Sequence, residues 1–268
     1  MIRAAGGLRA LRGFGVLILM WIPALVSIGM RVVGREGFRD VGWRAGPWRY
    51  WALAFIVPAV FAGFTYLSTW LCGGVFFSPK PSDIPIASPH LRWLVVGALT
   101  GVVGTLLGCT SAFGEELGWR GYLLTRWVEG RLPQPVIATG LIWGVWHLPI
   151  VIWGDYSTSA LPWLSALQFT ITITFATACF VWLRLAGGSV WTAVLAHASH
   201  NAFYQAVFDA HFSGNLEPYL AGEVGIFSML AYGTLALWLW KSGRLRRCLE
   251  QPVLFAQRAD GGYAPSLP

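Results

Sequence analysis

The chain has 268 residues, of which 12% are charged and 56% hydrophobic, with a formal net charge of +7. Soluble domains carry about 25% charged residues, and mean hydropathy here is +0.58. The composition excludes an ordinary water-soluble domain and indicates a polytopic membrane protein. The positive charge does not read as a nucleic-acid footprint, because the basic residues fall between apolar runs and after the last one, where membrane proteins carry topology signals.

Seven apolar segments follow one another, at residues 13–31, 50–72, 93–114, 134–153, 161–184, 189–210 and 223–240. Each is near the roughly 20 residues that cross a hydrocarbon core as a helix. Backbone groups in lipid must bond within their own segment, so the expected fold is an all-α polytopic membrane helix bundle of about seven spans. Arg3, Arg9 and Arg12 precede the first segment, and Arg31 and Arg35 follow it as a stop-transfer pattern, which reads as a span rather than a cleaved signal. Residues 73–92, with Pro79, Pro81, Pro85 and Pro89, read as a loop. The third helix is expected to continue past its apolar run to about Trp127. Residues 1–241 are expected to form one transmembrane domain with its motif-bearing core at about 100–208. Residues 242–268 read as a basic cytoplasmic tail with little order.

Fourteen of the 19 basic residues fall on one side of this arrangement. The positive-inside rule then puts the N-terminus outside and the C-terminus inside. Gly104 with Gly108 and Gly140 with Gly144 have the spacing that lets neighbouring helices approach closely. Cys72, Cys109, Cys179 and Cys248 are widely spaced and suggest neither a disulfide framework nor a cysteine zinc site.

Ionisable side chains inside a membrane cost about 2.5–3.5 kcal/mol on insertion scales, so they normally face the bundle interior and mark function. Those in the apolar segments are Glu115, Glu116, Arg120, His147, Arg184, His197 and His200, with Asn201 beside them. Glu116 and Arg120 stand at i and i+4, the favourable order for a helical ion pair. Glu115 points about 100° away and is free for another face. His147 sits one turn after Trp143 and two residues before Pro149, where a bend is expected. His197 and Asn201 share one helix face, and His200 points elsewhere. Each has an ordinary reading as a solvated acid or a helix–helix hydrogen bond. Together a carboxylate, two histidines and an amide on three helices supply the parts for acyl hydrolysis by activated water with an oxyanion hole.

The motifs Glu115-Glu116-Leu117-Gly118-Trp119-Arg120, Trp143-Gly144-Val145-Trp146-His147 and His197-Ala198-Ser199-His200-Asn201 lie in this order on successive hydrophobic segments. In this the chain resembles the CPBP family of intramembrane proteases, which includes the type II CAAX prenyl endopeptidases and bacterial immunity-type relatives. One departure is Trp143, where the family pattern has Phe. The resemblance implies a glutamate-type endopeptidase in which Glu115 and His147 activate water, His197 and Asn201 stabilise the oxyanion, and Glu116, Arg120 and Trp143 support them. It implies no cofactor and, as partners, a membrane-associated peptide or protein substrate and the lipid bilayer. Competing readings are a non-catalytic scaffold or immunity protein, a transporter, and a zinc protease using two His and a Glu. The transporter reading lacks an inverted repeat and paired broken helices, and the zinc reading lacks a His-Glu-x-x-His pattern.

Overall fold

The computed structural model describes residues 14–80, 84–154, 156 and 159–250. The apolar segments form helices, in chain order α1 (Phe14–Gly34), α2 (Trp48–Leu71), α3 (Pro89–Gly118), α4 (Leu124–Glu129), α5 (Pro135–Trp153), α6 (Pro162–Ala186), α7 (Val190–Asn201), α8 (Glu217–Leu220), α9 (Ile226–Lys241) and α10 (Arg244–Glu250). The chain is an all-α membrane helix bundle. Among the described residues, five helical stretches are long and apolar enough to cross a bilayer: α1, α2, α3 running on into α4, α5 and α6. Of the seven expected spans, the last two segments do form helices, but these fall outside that set. Arg3, Arg9 and Arg12, read as preceding the first span, and residues 251–268, read as tail, lie outside the described residues.

Local sequence explains where the motif helices begin. Ser88 caps α3 by accepting a hydrogen bond from the Leu91 N–H at 3.3 Å, with Pro89 in the first turn, where its missing N–H is not needed. Ser189 caps α7 from the Trp191 N–H at 3.2 Å. Helix α5 runs on through Pro149 to Trp153 rather than ending at the proline.

Small residues decide how these helices cross. A Cβ on Gly104 would stand 3.4 Å from Ala202, and one on Gly108 3.5 Å from Ala198, so the first expected pair seats α3 on α7. The second pair, Gly140 and Gly144, seats α5 on Thr174 and Thr170 of α6. A third pair has the same spacing. At Gly114 and Gly118 a Cβ would meet the α1 backbone, 2.7 Å from the Met20 carbonyl and 2.5 Å from Pro23 Cβ. These two glycines bracket Glu115 and Glu116, and they let α1 lie directly on the motif.

One end of the bundle is fastened by arginines. Buried Arg31 on α1 binds Asp40 Oδ1 at 2.6 Å and donates to the Gly121 carbonyl at 2.8 Å. Arg126 on α4 binds Asp40 Oδ2 and Glu36, each at 2.8 Å. Arg184 at the end of α6 donates to the Asp40 carbonyl at 3.0 Å. Arg31, Arg120 and Arg184 are all buried, so they act as internal fasteners and not as the loop charges used to assign orientation.

Two short stretches differ from expectation. Phe76–Phe77, read as loop, pairs antiparallel with Phe212–Ser213. Arg244–Glu250, read as part of a tail with little order, is helix α10, which buries Leu245 and Cys248 against the bundle.

Candidate active site

Helix α3 delivers Glu115 and Glu116 at its end, and the chain then passes through a π-helical turn, Trp119–Leu123, before α4. Helix α7 behaves alike: directly after Asn201 it enters a π-helical stretch, Ala202–Asp209. Such turns inside helices often accompany functional sites, because the extra residue re-aims the side chains around it.

The two adjacent acids divide as their 100° offset requires. Glu116, fully buried, takes Arg120 Nη1 on Oε1 at 2.8 Å. The same oxygen faces His197 Nδ1 at 2.8 Å. Its Oε2 has no hydrogen-bond partner among the described residues. The Arg120 guanidinium also lies over two rings, with Cζ 4.1 Å from the centroid of Trp143 and 5.0 Å from that of Phe180. Stacking between flat cation and ring adds to the ion pair in a dry site.

Glu115 is held by different partners. Its Oε2 accepts from the indole N–H of Trp143 at 2.7 Å and from that of Trp119 at 3.2 Å. Trp143 thus does more than pack. One face covers Arg120 while its edge donates to Glu115, which a phenylalanine could not do. His147 places Nδ1 2.9 Å from the Trp143 carbonyl. A carbonyl only accepts, so Nδ1 carries a proton, and in the neutral ring the lone pair is then on Nε2.

Glu115, His147, His197 and Asn201 all line one cavity of about 330 Å³, which also reaches Val16, Leu19 and Met20 of α1. Glu116 and Arg120 stand behind its wall. Arg184 is not brought to the site; it belongs to the fastened end. His200 does face the cavity, although it points away from the His197–Asn201 face. Its Nδ1 meets the Tyr232 hydroxyl at 2.8 Å and its Nε2 lies 3.3 Å from Glu223 Oε1.

Sequence reasoning missed the far end of this cavity, where Tyr156, Gln205, Asp209 and Glu223 join the lining. Two signals were present. Asp209 is an ionisable residue inside the 189–210 apolar run, and His197, Asn201, Gln205 and Asp209 recur every four residues. Glu223 opens the last apolar run in the same way. The role of Tyr156 had no such signal, because it sits alone in a connecting loop. Among the described residues no three His, Cys, Asp or Glu side chains cluster as a metal-ligand set.

Residues 95–203 match the family model of type II CAAX prenyl endopeptidase, Rce1-like, proteins. Over this segment the chain is similar to that CAAX-protease family. The Rce1-like match runs from α3 to just beyond α7 and includes all three motifs. Together with the five apolar helices it supports an integral membrane protein whose motif-bearing segment is similar to the CAAX-type intramembrane proteases. No curated protein and no solved structure matches the chain.

Proposed function

We propose that the chain is a glutamate-type intramembrane endopeptidase that hydrolyses a peptide bond of a membrane-associated protein. Glu115 with His147 activates the attacking water, and His197 with Asn201 holds the oxyanion. The observation that carries this reading is the single cavity onto which these four side chains open.

The chemistry follows from the free valences. Glu115 Oε2 is occupied by two indole N–H groups, which leaves Oε1 as the acceptor for a water proton. The lone pair on His147 Nε2 is a second acceptor for the same water. As the proton leaves, the water oxygen attacks the carbonyl carbon and charge moves to the carbonyl oxygen. His197 donates Nδ1–H to Glu116, so it must be doubly protonated for Nε2 to donate to that oxygen, and the two carboxylates Glu115 and Glu116 together balance its charge and that of Arg120. The Asn201 amide supplies the second donor. When the tetrahedral adduct collapses, the C–N bond breaks and the proton taken from water passes to the leaving amine.

The test is Glu115→Gln, which keeps the shape and the two indole contacts but removes the base. Purified full-length protein in liposomes is expected to insert and fold normally while Glu115-dependent cleavage disappears from membrane-protein termini mapped by proteomics. Wild-type cleavage by the Gln variant would end the proposal.

A further inference from the structure

We propose that the end of the cavity formed by Asp209, Glu223, Gln205 and Tyr156 is a second substrate subsite, which takes a basic side chain, lysine or arginine, of the cleaved protein. The inference rests on the protease reading and names a substrate class for it. It begins from the charges that face one space. Among the described residues lining the cavity, the ionisable groups are Glu115, Asp209, Glu223, three histidines and Tyr156, and neither lysine nor arginine is present. Arg120, the nearest arginine of the motifs, is spent behind the wall on Glu116 and the Trp143 ring. A free α-carboxylate entering this cavity meets no cation and several acids.

The far end is built rather than merely acidic. Glu223 is buried and aimed by three side chains from other parts of the chain: Gln205 Nε2 donates to Oε1 at 3.0 Å, His200 Nε2 lies 3.3 Å from the same oxygen, and the Tyr156 hydroxyl donates to Oε2. Asp209 lies one helical step beyond Gln205 on the same four-residue repeat and also faces the cavity. Among the described residues its carboxylate has neither hydrogen bond nor ion pair, and it is repelled by Glu223 and Glu217. An unpartnered carboxylate next to a second, buried one, on the wall of a cavity that holds no lysine or arginine, is matched by a cation more than by any other ligand. The repeat His197, Asn201, Gln205, Asp209 leads from the reaction centre to this end along a single helix, so an extended peptide can occupy both at once.

The test has two arms. In the first, Ile150→Cys is introduced on the cavity wall of full-length protein whose Cys72 and Cys109 are replaced by Ser. The thiol is then labelled with a trimethylammonium methanethiosulfonate and with its sulfonate counterpart. After normalisation to free cysteine, the cation is expected to react about tenfold faster than the anion, because a charged cleft concentrates its counter-ion. Adding Asp209→Asn, or Glu223→Gln, should bring that ratio back toward one. Asp209 makes no structural bond, so Asp209→Asn keeps the arm decisive if the Glu223 variant does not fold. A ratio that matches free cysteine in the parent overturns the subsite. In the second arm, liposomes receive single-span fluorogenic peptides that differ only in Lys, Gln or Glu at each position flanking the cut. The Lys peptide is expected to have a KM about tenfold lower at one position, and Asp209→Asn to erase that preference. Equal KM values for all three peptides overturn the inference while Glu115-dependent hydrolysis keeps the protease reading. Absence of any Glu115-dependent hydrolysis counts instead against the proposed function, and the labelling ratio still decides the subsite.

Discussion

The chain contains two arginine–carboxylate assemblies of similar composition and opposite character. Around Asp40 both carboxylate oxygens are taken, one by Arg31 and one by Arg126, and Arg184 binds the backbone of the same residue. That assembly joins α1, α4 and α6 and has no carboxylate oxygen to spare. Around Glu115 and Glu116 the arginine is satisfied by one acid, and the other acid keeps an oxygen toward a cavity that histidines also face. The difference teaches that charge alone does not distinguish a fastener from a reactive centre. What separates them is whether a polar atom is left without a protein partner where a substrate can reach it.

Substitutions should separate the two assemblies. The largest effect is expected from Glu115→Gln, with cleavage reduced by about 10³-fold, in the range of a lost general base, and an unchanged unfolding midpoint. Asp40→Ala should do the reverse. It leaves Arg31 buried without its carboxylate, at a cost of about 3 kcal/mol, read as a lower unfolding midpoint in micelles with turnover per folded molecule retained. Loss of turnover in the folded Asp40 variant would erase the contrast between the two regions.

Trp143→Phe restores the residue of the family pattern and sharpens the comparison from within the site. It removes one charge-assisted donor to Glu115, worth about 1.5–3 kcal/mol. The expected reading is kcat down by about tenfold or more with KM little changed. A kcat equal to that of the parent would show that the indole N–H is not needed. Gly118→Ala comes next, because the added methyl presses on the α1 backbone; overpacking of this kind costs about 1–3 kcal/mol, measurable as a lower unfolding midpoint. The smallest effect belongs to Arg246→Ala, which breaks an exposed pair with Glu250 on α10 and should leave both midpoint and turnover unchanged.

Much of this protein was readable before any coordinates. Length and apolarity marked the helices to within a few residues, since burial of backbone groups in lipid permits little else. The Glu116–Arg120 pair followed from helical spacing alone, and so did two of the three glycine seats. The Gly114–Gly118 seat has the same spacing, but its partner is the α1 backbone, about 90 residues earlier in the chain, which spacing cannot point to. Asp209 and Glu223 carry the same cost of membrane ionisation, but no motif marks them. Helix α10 was hidden for another reason: its outer face carries three arginines, and of its seven residues only Leu245, Cys248 and the half-buried Leu249 reach the bundle.

The sequence by itself determined the helices, the order of the three motifs and the division of labour between two neighbouring acids, because these depend on interactions a few residues apart. Only the tertiary structure decided that His197 meets Glu116, that the Trp143 indole N–H holds Glu115, and that a second acidic end shares the cavity. Those pairings join residues far apart in the chain, and their geometry is set by how deeply one helix can press into another. That depth depends on glycines and alanines acting together across helix interfaces, a property that no single segment contains.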